Sequence, residues 1–588
     1  MKSQPFFTLS NASWLPVKSL PDSIRWLLVL FCVVWISGCA TYGNGVQQAL
    51  NQVQQGDLTV AEASLKQTLK PTGNDALLYH LELGVVKHLQ GDYSASNQLL
   101  NQAEQLAESL ETISISDSLA VLMSNPRQGP YGGAEFEKMF INYYKALNYF
   151  GLAQTATNRN ERLDALDGAR IESRRLIIRL NDLNSRKGTY AEQKSKDEET
   201  FSQLLDIFEA LSGNMIDMDQ LVYRDDAMAH YLTGISFEMN GEYDDARISY
   251  QKAAQSYEDG FVKQFRLDPQ MTAQAWFDVV RMLRKTGDRE DARRLASRKL
   301  SKKQRAELER WDDTAQVIVV EHKGMAPQRK EMNLEMSANT TLQSFELRPY
   351  LFATDRNQLA WFYILYADSL FVDALTFYLD ASAGLLDLPL VGLTKTVYLG
   401  PLWEQVMDLG LDQAIGSSMR ITVPYYDPVP AEGPSALLVG DRSYDLYKSS
   451  NPAQMALQEQ VLNSSFDIQM ALARASLKAL TAAQVASAAG GEFGGLLSAV
   501  GKITAQLTDA AETRNWLLLP SDIRIRRVAL DAGTHQLTLD SQLQGGYHKR
   551  QQAAVTLESG DIHLWQVRSL KPITAVDANA VNKRIAPQ

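Results

Sequence analysis

The chain has 588 residues, of which 58 are basic and 69 acidic, and its formal net charge is −11. With 45% apolar, 22% charged and 9% aromatic residues, it has the composition of a globular protein, which excludes a disordered or fibrous chain for most of its length. A single hydrophobic core stops growing at about 250–300 residues, so the length predicts two or more domains. The acidic balance argues against general nucleic-acid binding, which requires a basic surface.

The first forty residues have the features of a secretion signal. Lys2, Lys18 and Arg25 precede an uninterrupted apolar run at residues 26–36. The run is eleven residues long, which suits a signal-peptide core, whereas about 20 residues are needed to span a bilayer. The sequence therefore predicts a segment that directs export and is then removed.

A short motif follows the apolar run. It consists of a branched apolar residue, two small residues and a cysteine, namely Ile36, Ser37, Gly38 and Cys39. This order resembles the lipobox of bacterial lipoproteins. The resemblance implies that the signal peptidase recognises the first three residues, that residues 1–38 are removed, and that Cys39 is lipidated. The other cysteine, Cys32, would leave with the signal, so no disulfide framework is expected in the mature chain.

The lipid anchor also predicts a location. Each buried CH₂ group contributes about 0.8 kcal/mol, so several acyl chains would hold the protein permanently at a membrane. Ala40 follows the cysteine, at the position where enterobacterial lipoproteins retained in the inner membrane have aspartate. We therefore expect the protein at the periplasmic face of the outer membrane.

Residues 39–313 contain four copies of a helical repeat pattern. The copies place small residues where two helices would cross, a large residue between them, and a glycine at the turn. Gly56 and Gly91 are the turn glycines of the first two copies and lie 35 residues apart, and Gly287 is that of the weaker fourth copy. The key residues of the second and third copies are Gly84, Gly91, Gly234, Phe237, Gly241, Ala246, Tyr250 and Ala253.

This pattern resembles the tetratricopeptide repeat (TPR). The resemblance implies an all-α solenoid with a concave surface for peptides or proteins. A generic bundle of helical hairpins is the alternative. We expect Gly234 and Ala246 to lie where two helices cross too closely for larger side chains.

The stretch 281–310 carries twelve basic and five acidic residues, a local net charge of +7. It is the strongest charge asymmetry in an acidic chain. A polar cap on the last repeat explains it, since the end of a solenoid must face water. Contact with anionic lipid headgroups or a cell-wall polymer is the alternative.

From Thr314 the apolar period changes to that of β-strands. Pro424 predicts an edge position for its strand, because proline cannot donate to a central ladder. Residues 558–561 suit a four-residue hairpin loop between the last two strands. Strands are predicted near 317–321, 332–336, 421–426, 436–439, 523–530, 535–539, 555–557 and 562–567.

A helical hairpin is predicted inside this β region, at about 452–511, with a glycine-rich turn at 490–495. The apolar segment 359–390 is ambiguous between helix and strand. The expected fold is therefore α+β: an N-terminal all-α TPR-like solenoid, followed over residues 314–588 by a β-rich domain that carries the inserted hairpin.

The sequence contains no recognisable catalytic or metal-binding motif. Its seven histidines show no compact ligand spacing, and there is no Gly-x-Ser-x-Gly nucleophile elbow. We therefore predict no enzymatic activity, no metal and no cofactor. A dispersed carboxylate pair, brought together only by folding, remains an open alternative.

Several segments resemble a family of Gram-negative lipoproteins with TPR-like N-terminal halves. The most specific is Thr-Arg-Asn-Trp-Leu-Leu-Leu-Pro at 513–520, where Glu512 and Asn515 depart from the family's pattern. The resemblance implies an architecture and a location, but no activity and no catalytic residue. The other segments that carry it are 136–138, 144–149, 320–327 and 532–533.

Together these features predict an outer-membrane-anchored scaffold that binds an unidentified periplasmic or envelope protein, with a cell-wall hydrolase as the alternative. Within 513–520, Trp516 precedes three leucines, and four successive apolar residues are rarely all exposed. We therefore expect Trp516 to be buried between the helical hairpin and the sheet, with Arg514 nearer solvent.

Overall fold

The structure is a computed structural model that describes residues 41–111, 126–185, 226–311, 314–350, 356–365, 394–416, 418–489 and 510–573. Over these residues the protein is mixed α+β, with a helical N-terminal half and three four-stranded sheets in the C-terminal part. No described helix is long and apolar enough to cross a membrane. The lipobox-like motif and most of the predicted second hairpin helix, 496–511, lie outside the described residues.

The helical half extends from residue 41 to residue 308. Its fifth and sixth helices separate two groups of helix pairs, and the eighth continues into a π-helical turn, Tyr257–Phe261. In chain order the helices are α1 (Thr41–Gln55), α2 (Leu58–Thr68), α3 (Ala76–Leu89), α4 (Tyr93–Glu111), α5 (Glu135–Thr155), α6 (Arg159–Ser185), α7 (Ala227–Met239), α8 (Tyr243–Ser256), α9 (Gln270–Lys285), α10 (Arg289–Lys299) and α11 (Lys302–Leu308).

The four predicted repeat copies each form a helix–turn–helix pair: α1–α2, α3–α4, α7–α8 and α9–α10. The turn glycines Gly56, Gly91, Gly241 and Gly287 have positive φ angles of 90°, 77°, 77° and 90°. Glycine is favoured at this point because a side chain is strained in the left-handed region. All four copies, including the weak fourth one, therefore share one turn geometry.

The helices of a pair also cross at equivalent residues. A Cβ atom added to Gly84 would lie 2.8 Å from Leu100, and one added to Gly234 would lie 2.5 Å from the ring of Tyr250. Both distances are shorter than van der Waals contact. Ala246 and Ala253 are fully buried, so the expected close crossing of α7 and α8 agrees with the structure.

Twelve described strands and four further helices form the C-terminal part. Most predicted strands are confirmed. They are β1 (Ala315–Lys323), β2 (Arg329–Asn339), β3 (Ser344–Pro349), α12 (Arg356–Leu365), β4 (Lys395–Tyr398), α13 (Leu402–Asp408), α14 (Leu411–Ile415), β5 (Met419–Tyr426), β6 (Ser435–Val439), β7 (Arg442–Asp445), β8 (Tyr447–Ser450), α15 (Pro452–Ala489), β9 (Asp522–Leu530), β10 (Gly533–Leu543), β11 (Tyr547–Leu557) and β12 (Ile562–Ser569).

These strands form three sheets. Sheet A has the order β12-β1-β9-β8, sheet B β4-β3-β2-β5, and sheet C β11-β10-β6-β7. The predicted edge position of the strand containing Pro424 is confirmed, since β5 ends sheet B. Sheet B packs on α15, the long helix that begins at Pro452.

Sheet A has two buried faces. Alternate residues of a strand point to opposite faces. Val317 and Val319 of β1 share a core with Leu437 and Leu539 of sheet C, so the two sheets form a sandwich. Ile318, also on β1, belongs to the larger core that includes the helical half. Sheet A is therefore the layer between the helices and sheet C.

The predicted hairpin between the last two strands is wrong. β11 belongs to sheet C, whereas β12 pairs with β1 in sheet A, in parallel, with Gln316 opposite Ile562. Residues 558–561 therefore connect two sheets. β12 suits sheet A because Leu564 packs into the core toward the helices and Val567 into the sandwich core.

Candidate functional site

Two buried carboxylates of the helical half hold a segment from the C-terminal part, residues 512–520, which we call the docked segment. Glu82 on α3 accepts the backbone N–H groups of Leu517 and Leu518 at 2.7 and 3.1 Å. Glu137 on α5 accepts the backbone N–H of Trp516 at 2.8 Å. Three successive backbone donors are thus satisfied by acids from two different helices.

Local structure places Glu137 for this role. It lies in the first turn of α5 and accepts the backbone N–H of Ala134, just before the helix, at 3.1 Å. The hydroxyl of Tyr131 donates to the same oxygen at 2.5 Å. The other oxygen accepts the N–H of Trp516, so the same side chain both caps the N-terminus of α5 and holds the docked segment.

Burial governs the protonation of both acids. It raises the pKa of Glu82 to about 8, although the N–H groups of Leu517 and Leu518 act in the opposite direction. It also raises the pKa of Glu137, against hydrogen bonds from Tyr131 and Trp516. Neither side chain has any exposed surface, so a substrate cannot reach them in this arrangement. Their geometry is that of acids that position a backbone.

Arg514 lies at the start of the docked segment and was expected nearer solvent than Trp516, but it is almost as deeply buried, with 3% of its surface exposed. Its guanidinium donates to the carboxylate of Asp75 at 2.8 Å and to the carbonyl of Gly129 at 2.9 Å. It also donates to Glu512 beside it. Burial is tolerated because several donors find acceptors on the helical half.

Trp516 is fully buried, as predicted, but the ring it contacts belongs to the helical half and not to the predicted hairpin. Its ring centroid lies 5.9 Å from that of Tyr144 on α5, so the indole seals the contact between helices and docked segment. The indole N–H has no hydrogen-bond partner among the described residues. Asn515, next to it, donates to the carbonyl of Pro327 and accepts the backbone N–H of Arg329.

A second contact between the two parts is ionic. Arg527 on β9 donates to Glu238 on α7 at 2.7 Å, and Arg281 on α9 donates to the same carboxylate at 2.9 Å. Arg281 also pairs with Asp278 at 2.8 Å. Burial alone would raise the pKa of Glu238, but the charges of Arg281 and Arg527 lower it to about 2. The group is therefore ionised and paired at neutral pH.

Two buried histidines lie near the docked segment. His322 on β1 is 2.8 Å from the hydroxyl of Tyr143, and His88 on α3 is 2.7 Å from the side-chain oxygen of Asn148. Burial lowers the pKa of His88 to about 4 and holds that of His322 well below its ordinary value. Both rings are neutral at physiological pH and serve the packing between helices and sheet A.

The described residues offer little for ligand chemistry. They include no group of three His, Cys, Asp or Glu side chains that could hold a metal ion. A surface cavity of about 650 Å³ lies beside the turn between α1 and α2. Two acids line it, Asp57 and Glu62, and Glu62 is bound to Lys66 and Lys87.

The residues predicted from the repeat pattern fall into the helix pairs, as described above. Phe237 is buried and lies 4.9 Å below the guanidinium of Arg174. Ile36, Ser37, Gly38 and Cys39 lie outside the described residues. Sequence reasoning missed Glu82, Glu238 and Arg527. Glu82 and Glu238 are each the single acid of a largely apolar helix, whereas Arg527 lies in a strand with other charged residues and has no such signal.

The chain matches no protein-family model and no curated protein.

Proposed function

We propose that the protein is a lipoprotein, anchored through Cys39 at the periplasmic face of the outer membrane, that serves as an interaction scaffold in cell-envelope assembly or regulation. The lipobox-like motif at 36–39 supports the anchor. The helical half supports the scaffold, since repeated helix pairs provide extended surfaces for partner proteins.

One observation carries the scaffold proposal. Four helix pairs place a positive-φ glycine at the same point of the turn. In two of them a glycine of the first helix meets a large residue of the second, Gly84 with Leu100 and Gly234 with Tyr250. This periodic geometry supports assignment of the pairs to the TPR class.

The buried contacts indicate which surface a partner would use. The side of the helical half that faces sheet A is filled by the docked segment and by Arg527. A partner protein would therefore bind the outward surface of the helices. Glu82 and Glu137, the buried acids described above, are engaged in holding backbone, which favours a scaffold over a hydrolase.

The anchor is tested by Cys39→Ser in cells supplied with labelled palmitate, with Cys32→Ser as the matched control. Cys39→Ser should lose the label and leave the outer-membrane fraction, whereas Cys32→Ser should behave as the parent. Label and outer-membrane fractionation in Cys39→Ser would refute the anchor.

The scaffold is tested by photo-crosslinking in cells. Ile178 on α6 and Ile248 on α8 are 66% and 45% exposed, and Tyr398 on β4, the control, is 68% exposed. A crosslinker at either helical position should capture one defined envelope protein that the control position does not. Shortening of cell-wall fragments by the purified protein, without such a partner, would favour the hydrolase instead.

A further inference from the structure

The end of the helical half carries a compact cationic surface. We call it the basic corner and define it as Arg298 and Lys299 of α10 with Lys302, Lys303 and Arg305 of α11. All five side chains are exposed. They fall within eight residues, 298–305, that contain no acid.

Few of these charges are neutralised within the protein. Lys299 pairs with Glu258 at 2.8 Å and lies over the ring of Trp276. The other four cations form no ion pair with any described residue. Because the whole chain has a net charge of −11, the basic corner is a local exception on an acidic molecule.

The placement of the charges is unfavourable for the helix that carries them. Lys302 and Lys303 occupy the first turn of α11, which has no acidic residue there. Cations at a helix N-terminus are repelled by its dipole. The N-terminus of α11 does not require these cations, because Ser301 and Gln304 already cap it through a reciprocal pair of hydrogen bonds. A solvent-facing end of the solenoid requires only hydrophilic residues, not cations. Residues that break a local stability rule are frequently there for function.

The shape of the surface selects the kind of ligand. The large apolar side chains of α10 and α11 are Leu295, which is partly buried and packs against the core, and Leu308, which is buried. The two helices therefore offer no exposed apolar anchor of the kind that protein hot spots require. The cavity beside the α1–α2 turn and a smaller one beside Tyr143 are lined by none of the five cations. Charges spread over the exposed surface of two helices suit an extended array of negative groups.

We propose that the basic corner binds the anionic phospholipid headgroups of a bilayer surface. This inference rests on the proposed function, because the lipid anchor is what keeps the chain beside a membrane. Each exposed cation gains from the negative surface potential, and the acidic remainder of the chain is repelled by it. The bilayer would thereby fix the orientation of the helical half as well as its location.

The test uses the chain from residue 39 onward with Cys39→Ser, which keeps every described residue and removes acylation. Flotation with phosphatidylcholine vesicles is compared with flotation with vesicles that also contain phosphatidylglycerol. We expect binding only to the anionic vesicles, and we expect it to weaken as salt is raised. The triple variant Lys302→Gln, Lys303→Gln, Arg305→Gln should bind at least about tenfold more weakly.

The matched control neutralises three exposed cations elsewhere, Lys70, Lys252 and Arg550, and should bind as the parent does. Equal melting temperatures would show that both triple variants are folded. Salt-sensitive binding to a soluble polyanion, without vesicle binding, would overturn the lipid assignment, and binding to neither would overturn the docking surface. Palmitate labelling at Cys39 is independent of both results, so failure here leaves the proposed anchor untouched.

Discussion

Arg527 of β9 and Glu238 of α7 form a 2.7 Å ion pair although 289 positions separate them in the chain, and both side chains are fully buried. Tyr250 and Gln316 also bond to the guanidinium, at 3.0 and 2.7 Å. The pair joins the helical half to sheet A through charges that the apolar core cannot solvate.

Arg527→Met should lower the free energy of unfolding by about 3–5 kcal/mol, because removal of one partner leaves a buried charge less compensated. Urea unfolding measures the loss. Arg526→Met is the matched control: Arg526 is the next residue of the same strand and is only half-buried, so it should cost less than about 1 kcal/mol. Equal losses of unfolding free energy in the two variants would mean that the buried ion pair contributes no more than a half-buried arginine. Adding Glu238→Gln to Arg527→Met should cost less than the sum of the single changes.

The raised pKa of Glu82 predicts that the stability of the protein depends on pH. Its pKa is raised from 4.5 in the unfolded chain to about 8 in the folded protein, so the folded state binds the proton more tightly. The stability it contributes is complete below pH 4.5 and is lost as pH rises to about 8. One pKa unit corresponds to about 1.4 kcal/mol, so the loss is a few kcal/mol.

Glu82→Gln cannot titrate and should therefore reduce the fall in stability across this pH range, as measured by urea unfolding at each pH. The control is Glu62→Gln, because the pKa of Glu62 is lowered to about 2, opposing its partial burial, by hydrogen bonds from Lys66 and Lys87. Glu62 does not titrate in this range, so its variant should keep the parental slope. A parental slope in Glu82→Gln would contradict the prediction.

Ala246→Leu should cost about 1–3 kcal/mol, since the larger side chain overpacks the fully buried crossing of α7 and α8. Thermal unfolding gives the readout. Ile248→Leu, two residues along the same helix and 45% exposed, should leave the melting temperature nearly unchanged. A similar result for Ala246→Leu would contradict the close packing of this pair.

Trp516→Ala should cost about 3–5 kcal/mol through the cavity it leaves between Tyr144 and the docked segment. Trp516→Phe should cost clearly less, because the indole N–H forms no hydrogen bond to a described residue and most of the ring volume is kept. Calorimetry of the two variants separates packing from polar contacts. If Trp516→Phe lowered the free energy of unfolding as much as Trp516→Ala, the indole nitrogen would have a hydrogen-bond partner.

Much of the local structure was predictable because it depends on neighbouring residues. The glycine at each turn, the small residues at helix crossings and the edge strand of Pro424 all follow from backbone sterics or a missing N–H. Trp516 was also predictable, since three leucines follow it. Such rules act over a few residues and leave a clear trace in the sequence.

The contacts of the candidate site were not predictable in this way. Arg514 has a charged side chain, and the default expectation for such a residue is exposure. Its acceptor Asp75 lies 439 positions away. The loop at 558–561 has the same difficulty, because a four-residue connection does not reveal whether its two strands pair with each other or with distant strands.

The parallel pairing of β1 with β12 has a consequence for the order in which the protein folds. β1 acquires this neighbour only when residues 562–569 have been synthesised, and Glu82 receives its two backbone donors only from residues 517 and 518. The helical half is synthesised first, and its buried polar groups receive their partners only from residues that lie hundreds of positions later in the chain. A chain arrested before residue 562 would therefore expose an unpaired strand edge and be a preferred substrate for chaperones and proteases.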